Sequence, residues 1–280
     1  MKLTEETYYG REAAQKWMSV SQFKAFQKCQ AAALAEIQGN YERPMTTALL
    51  VGQYVDTKLE GPEAFEAFQL EHPEIFKKDG SPKADFVQAE RIYQRIKEDR
   101  LMEQLLSGQK QVILTGEING VPFRGKLDSL LSPEECDTII KEFPSAGEAI
   151  GGPFGSVGAI VDGKVMRDFM PVWSDTEGRK AHWIDAWGYQ FQGAVYQHLE
   201  GGHKPFVIAG ASKESSPDLT ALYIPQPELD AALRIVEDMA PVYQEIKEGK
   251  REPEACGRCE WCRRQKVLTK IRNYKEDLPC

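Results

Sequence analysis

Two aspartates and a lysine lie in apolar segments that have the composition of β-strands. Asp128 ends the run Gly-Lys-Leu-Asp, and Asp162 and Lys164 lie in Ala-Ile-Val-Asp-Gly-Lys. If the two strands are neighbours, both carboxylates converge at one end of a sheet, where with a backbone carbonyl and water they match the ligands that Mg²⁺ or Mn²⁺ prefers. Side chains alternate along a strand, so Lys164 projects from the same face as Asp162. The spacing predicts a divalent-metal site, and a surface strand with alternating charges is the alternative.

An ammonium group beside a divalent cation favours one kind of chemistry. Lys164 can orient an attacking water and offset the negative charge that develops on phosphate oxygens, which indicates phosphodiester hydrolysis. Gln192 and Tyr196 are four residues apart and share one face of a predicted helix. Such a pair can hydrogen-bond a phosphate or the water beside the lysine, although a helix packing face has the same spacing.

Three cysteines near the C-terminal end form a second group of metal-ligand type. Cys256, Cys259 and Cys262 follow the pattern Cys-x2-Cys-x2-Cys, and two-residue gaps let successive thiolates face one ion or cluster. In a cytosolic chain this spacing favours metal ligation over disulfides. Three thiolates need a fourth ligand. Cys280 is one candidate for it, whereas Cys136 is expected to be a bystander.

Length and composition limit the class of protein. A chain of 280 residues with 41% hydrophobic and 28% charged residues is typical of a folded protein of one large or two small domains. No apolar run approaches the roughly 18 residues that a membrane helix needs. The first residues lack the apolar core of a signal peptide. A cytoplasmic protein without a membrane partner is therefore expected.

The charge distribution is uneven. The formal net charge is −8, whereas nucleic-acid-binding domains are usually basic. Basic residues concentrate between Lys247 and Lys275, which predicts either a solvated tail or a surface that contacts phosphates. Because a metal site itself needs carboxylates, the acidic total does not exclude a nuclease.

Hydrophobic periodicity predicts the elements that position these residues. The N-terminal part is predicted to contain helices over 1–40 and from 46, a short helix followed by a polar loop over 63–80, and a helix over 85–106. A hairpin over 111–131, a strand over 159–165, a helix over 182–200, strands over 205–212 and 219–225, and a helix over 227–250 are predicted to follow. The Asn119-Gly120 pair is a strong hairpin-turn signal. The glycine-rich stretch 132–158 is expected to be a flexible insertion. It contains a rival acidic cluster with Asp137, Lys141 and Glu142.

Taken together, the fragments around Asp128, Asp162 and Lys164 and the Gln-x-x-x-Tyr helix resemble the P-D-(D/E)-x-K nuclease superfamily. The resemblance is strongest to the RecB-like and RecE-like branch, with phage and prophage proteins of the exodeoxyribonuclease VIII type, and covers residues 20–268. It implies an α/β fold with a restriction-endonuclease-like core, in which a central mixed sheet is flanked by helices, with an N-terminal helical wrap and a C-terminal cysteine segment.

The resemblance also implies a division of the chain. One nuclease domain would span 1–280. It would consist of a helical part over 1–108, a catalytic α/β core over 109–225, and a C-terminal helix with the cysteine group over 226–280.

Roles for individual residues follow from the same resemblance. Asp128 and Asp162 would bind the metal ion together with the Gly163 carbonyl, and Lys164 would be the catalytic lysine. Gln192 and Tyr196 match the helix motif that supports the site. RecB-like nucleases usually carry a metal-binding histidine in a Gly-x-x-x-His pattern. Here Gly52-Gln-Tyr-Val-Asp56 places Asp56 at that position, and aspartate can also ligate Mg²⁺.

Cys29 corresponds to the isolated early cysteine of iron–sulfur relatives such as AddB and the CRISPR-associated adaptation nucleases. With Cys256, Cys259 and Cys262 it implies a [4Fe–4S] cluster that clasps the two ends of the domain. The spacing of the three later cysteines differs from that of those relatives, so zinc remains the alternative.

The implied function is that of a Mg²⁺- or Mn²⁺-dependent deoxyribonuclease. An exonuclease is expected, acting in phage or prophage DNA recombination or repair in the cytoplasm of a bacterial or phage-infected cell. DNA is the expected partner, with a single-strand annealing recombination protein as a second one. The alternative is a non-catalytic DNA-binding recombination accessory module that retains the fold and the cysteine clasp, and Asp56 in place of histidine favours it.

Overall fold

Helices make up the N-terminal part of the chain, and strands begin at residue 109. The structure is a computed structural model that describes residues 3–152, 156–174, 178–269, 271 and 273. The α-helices are α1 Glu5–Tyr8, α2 Arg11–Lys16, α3 Val20–Lys28, α4 Gln30–Gln38, α5 Thr47–Glu60, α6 Pro62–Glu71, α7 Ala84–Glu98, α8 Arg100–Leu105, α9 Pro133–Glu142, α10 Gly147–Ile150, α11 Trp183–Trp187, α12 Tyr189–Glu200, α13 Gln226–Lys247 and α14 Glu260–Arg264. Short 3₁₀ helices span Pro73–Ile75 and Pro144–Ala146. In these ranges no helix has both the length and the apolar character needed to cross a membrane.

The strands form one mixed sheet and a separate small hairpin. They are β1 Gln109–Ile118, β2 Val121–Leu131, β3 Ala159–Met166, β4 Val172–Ser174, β5 Arg179–Ala181, β6 Phe206–Ser212 and β7 Leu219–Tyr223. The five-stranded sheet has the order β1-β2-β3-β6-β7, and β4 pairs with β5. Only β3 and β6 are parallel neighbours among these strands. The predicted α/β class, a mixed sheet flanked by helices with a helical N-terminal part, is confirmed.

The hairpin of β1 and β2 turns at the predicted pair. Asn119 and Gly120 both have positive φ angles, 47° and 75°, as the tight turn between right-twisted strands requires. The side chain of Asn119 also donates to the carbonyl of Glu237 at 2.9 Å. This contact joins the turn to α13.

Both faces of the sheet are covered by helices. Ile160 and Ile208 pack with α3, α12 and α13 on one face, whereas Val161 and Val207 pack with α5, α7 and α9 on the other. This alternation is the period-two pattern of strands buried on both sides. The sheet is therefore a rigid central layer. Helices on both of its faces can contribute side chains to a site at the sheet.

Two helices that periodicity predicts as continuous are broken. The predicted helix over 85–106 ends at Asp99, whose carboxylate starts α8 by accepting from the backbone N–H of Met102 at 3.0 Å. The predicted helix over 182–200 is interrupted at Gly188, which adopts a left-handed conformation (φ 65°). Apolar spacing continues across both breaks, so it does not reveal them, whereas the capping residues do.

The prediction of a flexible insertion over 132–158 is wrong for its described part. Residues 133–142 form α9, and the segment continues through the 3₁₀ helix to α10. Glu135 N–H donates to Ser132 Oγ at 3.2 Å, and Ser132 N–H donates to Glu135 Oε2 at 2.7 Å. This reciprocal capping box is encoded in Ser-Pro-Glu-Glu and starts the helix. Burial of Cys136 and Ile139 then fixes α9 against the second face of the sheet.

Candidate active site

Asp128 and Asp162 lie where β2 and β3 separate. The two strands pair through Ser129↔Val161, and continuing the same register places Asp128 opposite Asp162. Beyond that pair the ladder ends, and the Gly163 N–H donates to Asp128 Oδ2 at 3.0 Å instead of to a backbone carbonyl. The strand separation thus leaves room for two facing carboxylates, and the structure brings them together.

Asp162 is the most enclosed acid of the site, with 1% of its surface exposed. Gln192 Nε2 donates to its Oδ1 at 2.7 Å, and the Lys164 ammonium forms an ion pair with its Oδ2. Burial raises the pKa of Asp162 to about 7, Lys164 opposes this change, and Asp128 adds to it. The carboxylate is therefore held by Gln192 at one oxygen and paired with the Lys164 ammonium at the other.

Lys164 lies next to both carboxylates. Its ammonium also donates to the Gly163 carbonyl at 3.0 Å and lies 5.5 Å from the centre of the Tyr189 ring. Burial by itself would lower the pKa of Lys164, but Asp162 and Asp128 raise it above its usual value. The side chain therefore remains positively charged at neutral pH.

Gln192 and Tyr196 lie on α12, which packs directly on the sheet. A Cβ atom at Gly193 would stand 2.6 Å from an aromatic ring of β6, and one at Gly125 would stand 2.9 Å from the Tyr196 ring. These two glycines permit the close approach that brings Gln192 to the carboxylate. Tyr196 is buried, and its burial and the nearby Asp162 raise its pKa well above the usual value. Tyr196 is thus a protonated packing residue at the wall of the site.

Asp56 approaches the same place from α5. Its side chain is exposed to the solvent that fills the cleft, although many protein atoms lie around it. Burial and then Asp128 raise its pKa to about 8. Among the described residues, oxygens of Asp56, Asp128 and Asp162 do not all lie within 4.8 Å of one another. A single ion would therefore contact all three carboxylates only after a shift, or would reach Asp56 through a water.

The donor atoms fit a hard divalent cation. Asp128, Asp162 and the Gly163 carbonyl offer oxygen ligands of the type that Mg²⁺ and Mn²⁺ bind. The Lys164 ammonium is the positive partner of Asp162 Oδ2, yet the pKa values of Asp162 and Asp56 remain raised. A bound cation would add positive charge beside these two carboxylates and Asp128.

The carboxylates open into a cleft of about 710 Å³. Three basic side chains that the sequence analysis did not single out, Lys24, Arg124 and Lys126, also line it. Arg124, Lys126 and Asp128 alternate along β2, and this period-two pattern is the signal that identifies the first two. Lys24 comes from α3 and donates to the Trp187 carbonyl at 2.9 Å. Nothing in its local sequence distinguishes it.

The rival acidic cluster on α9 lies elsewhere. Asp137 and Lys141 are exposed, and Glu142 forms an ion pair with Arg100 and accepts from Gln104 at 2.9 Å. None of the three α9 residues lines the cleft. These three residues lie on the surface of α9, away from the cleft.

The cysteines form a second, separate centre. Cys29 occupies the extended residue between α3 and α4 (φ −167°, ψ 108°), and the segment with Cys256, Cys259 and Cys262 folds back onto it. The four Sγ atoms all lie within 4.8 Å of one another, and in the described part of the chain no other group of His, Cys, Asp or Glu meets that criterion. All four are free thiols. The structure thus brings the early cysteine to the three late ones, as the resemblance implies.

The remaining cysteines are not part of this group. Cys136 is buried in α9 within the second core. Cys280, a candidate for the fourth ligand, lies outside the described residues.

Comparisons with known proteins agree with this geometry. The model of a PDDEXK-like domain of unknown function (DUF3799) matches residues 19–147 and 155–265. Among solved structures, a "putative exonuclease" from Eubacterium rectale has 36% sequence identity and a TM-score of 0.83, with 99% of this chain and 98% of that chain covered. No curated protein matches. The restriction-endonuclease-like fold is thereby confirmed, and the chain belongs to the PDDEXK-like family DUF3799.

Proposed function

We propose that this protein is a metal-dependent deoxyribonuclease, and specifically an exonuclease. The observation that carries the proposal is the meeting of Asp128, Asp162 and Lys164 at the separation of β2 and β3, inside one cleft. The similarity to the Eubacterium rectale protein supports the exonuclease assignment. The resemblance to RecE-like proteins supports a role in phage or prophage recombination or repair, with a single-strand annealing protein as partner and the whole chain acting as one domain.

The side chains divide the work of hydrolysis among them. Asp128, Asp162 and the Gly163 carbonyl would hold Mg²⁺ or Mn²⁺, which when bound polarises the phosphate and makes water more acidic. Lys164 orients the attacking water and offsets the charge that develops on the phosphate oxygens. Gln192 fixes the Asp162 carboxylate through its hydrogen bond to Oδ1. This fixed hydrogen bond maintains the ligand geometry, as outer partners of metal ligands do.

Basic side chains of the cleft support DNA as the substrate. Lys126 lies one strand repeat from Asp128 along β2 and Arg124 lies two repeats away, while Lys24 lines the same cleft from α3. Lysine and arginine contacts to phosphates position a nucleic-acid strand without reading its sequence. The cleft therefore holds basic side chains that can contact a sugar-phosphate backbone in the same cavity as the proposed metal ligands, although Glu5, Glu60 and Glu71 also line it.

A cleavage assay tests the proposal. Purified protein is incubated with linear and covalently closed DNA, single- and double-stranded, in Mn²⁺, in Mg²⁺ and in EDTA. We expect linear DNA to be degraded to short products with either metal ion and to survive in EDTA, with closed circles resistant. Cleavage of closed circles would contradict the exonuclease assignment, and intact linear DNA in every condition would contradict the enzyme.

The second candidate is the DNA-binding accessory module. Asp56 at the histidine position, and its separation from the other two carboxylates, favour that candidate. The same preparation distinguishes the two by a mobility-shift measurement. Binding of linear DNA without any metal-dependent product would establish the accessory module.

Replacing Gln192 with alanine is expected to weaken Mn²⁺ binding by about 10- to 100-fold, because Asp162 loses the donor that orients it. Isothermal titration of Mn²⁺, and cleavage as a function of Mn²⁺ concentration, measure the change. Gln197→Ala on the same helix is the matched control, since Gln197 donates to the Lys204 carbonyl at 2.8 Å, away from the cleft. An unchanged Mn²⁺ dependence in Gln192→Ala would contradict this positioning role.

A further inference from the structure

The four cysteine sulfurs are close enough to surround one atom. Cys29 Sγ lies 3.5 Å from Cys262 Sγ, and Cys256 Sγ lies 4.0 Å from Cys262 Sγ. All four sulfurs, including that of Cys259, lie within 4.8 Å of one another. Four thiolates bound tetrahedrally to one zinc ion at about 2.3 Å are separated from one another by about 3.8 Å. The observed spacing brackets that value.

The same spacing does not fit a [4Fe–4S] cluster. In such a cluster each thiolate binds a different iron at a corner of a cube, which requires about 6 Å between sulfurs. The 4.8 Å limit excludes that separation for every pair. We infer that Cys29, Cys256, Cys259 and Cys262 bind one tetrahedral zinc ion, and that the iron–sulfur cluster implied by the family resemblance is not present in this protein.

Backbone donors around the sulfurs agree with a thiolate set. The N–H groups of Cys256, Cys259 and Cys262 donate to the sulfurs of Cys29, Cys256 and Cys259 at 3.5, 3.3 and 3.5 Å. Hydrogen bonds to a charged acceptor are stronger than those to a neutral one. The turn that holds Cys256 and Cys259 includes Gly257 with a φ of 72°, which lets the chain curve around its own sulfur. The segment is shaped to present its thiolates inward.

The zinc ion also explains how an almost coreless segment holds its place. Between Arg251 and Thr269 Cys262 is the only residue classed as buried. Small segments without a hydrophobic core need a metal ion or a covalent link to fold stably. Apart from the sulfurs, the segment is joined to α4 by few backbone bonds, such as the Ala31 N–H to the Glu254 carbonyl at 3.1 Å. Zinc would thus add a strong link to the few side-chain contacts of the segment, which Tyr41 makes with Glu260 and Trp261 and Gln30 makes with the Glu254 N–H.

This link reaches one wall of the cleft. Cys29 directly follows α3, and α3 contributes Ser21 and Lys24 to the lining of the cleft. By fixing Cys29, the residue that directly follows α3, the zinc ion restrains the helix that carries these side chains. The ion therefore acts as a structural clasp, distinct from the divalent ion proposed at the carboxylates.

Metal analysis of the full-length protein, purified both with and without oxygen, tests the inference independently of any cleavage activity. We expect about one zinc per chain, no iron and no acid-labile sulfide. Replacement of the zinc with Co²⁺ should give the intense visible bands of tetrahedral cobalt–thiolate coordination. Stoichiometric iron, acid-labile sulfide, or absence of any metal would overturn the assignment.

Variants identify the ligands. Cys29→Ser and Cys262→Ser should each lose at least about nine-tenths of the zinc, because every thiolate of the four is needed to complete the coordination. Cys136→Ser should keep the zinc, since Cys136 is not one of the four. Cys280→Ser should keep it too. Zinc loss in Cys280→Ser with retention in Cys29→Ser would overturn the ligand set.

Proteolysis provides a second readout that does not depend on recovering folded cysteine variants. Zinc-free wild-type protein, prepared with a thiolate-competing chelator, should be cut by trypsin at the arginines between Cys256 and Gln265 at least about ten-fold faster than the zinc form. Equal rates would show that the ion does not hold the segment. Loss of cleavage activity in Lys164→Ala with zinc retained would separate this site from the nuclease site.

Discussion

Lys164→Ala is expected to lower metal-dependent DNA cleavage by about a thousand-fold or more, since removal of a single preorganised charge-stabilising group commonly costs this much. Metal binding should survive, because the substitution removes a positive charge from beside Asp162 and Asp128. Single-turnover cleavage at saturating Mn²⁺ measures the loss, and isothermal titration of Mn²⁺ measures the binding.

The control for this variant is a lysine of similar environment. Lys204 has 23% of its side chain exposed and pairs with Glu200 at 2.5 Å, while Lys164 has 21% exposed and pairs with Asp162. Lys204 does not line the cleft, so Lys204→Ala should cleave normally. Asp162→Asn should lose both cleavage and Mn²⁺ binding, unlike Lys164→Ala. Full cleavage by purified, folded Lys164→Ala would remove the lysine from the proposed mechanism.

The total charge of the chain is a poor guide to its partner, because local arrangement decides what a surface binds. The acidic total of −8 coexists with a cleft in which Arg124, Lys126 and Lys24 lie beside three aspartates. A bound metal ion and Lys164 would offset the charge of the three aspartates, which is why the total charge does not argue against the proposed substrate.

Local rules were sufficient for much of the fold and the site. The Asn119-Gly120 turn sets the hairpin of β1 and β2, and the pairing of β2 with β3 then places Asp128 opposite Asp162. The single hydrogen bond from Gln192 to Asp162 follows from helix spacing once α12 lies on the sheet. These features depend on periods of two and four residues that the sequence displays directly.

Features set by tertiary contacts were not predictable in this way. Lys24 reaches the cleft only because α3 packs beside α12 and ends at Cys29, which is joined to residues more than two hundred positions later. The helical character of 132–158 was obscured by its glycines, although the cap at Ser132 is local. The metal preference of the cysteines depends on sulfur separations, and two-residue gaps in a sequence are compatible with either a single ion or a cluster.

Asp56 should make the stability of the metal-free protein decrease as pH rises. The folded protein holds the pKa of Asp56 at about 8 and that of Asp162 at about 7, whereas unfolded aspartate titrates near 3.9. Between about pH 4 and pH 8 the folded state therefore binds protons that the unfolded state does not, and stability is lost as pH rises through this window. With the zinc retained and no Mg²⁺ or Mn²⁺ present, the melting temperature should be lower at pH 8.5 than at pH 6. Mn²⁺ should raise it more at pH 8.5, because the cation replaces the protons.

Substitutions at Asp56 distinguish its charge repulsion with the other two carboxylates from a role as metal ligand. Without Mg²⁺ or Mn²⁺, Asp56→Asn should weaken the pH dependence and raise the melting temperature at pH 8.5, yet lower Mn²⁺ affinity by about 10- to 100-fold. Asp137→Asn, an exposed acid on α9, should change neither quantity. Asp56→His restores the histidine that RecB-like nucleases carry and, being neutral at pH 8, should retain metal-dependent cleavage. If Asp56→Asn and Asp56→His bind Mn²⁺ as wild type does, Asp56 is no ligand, and Asp128 and Asp162 hold the ion alone.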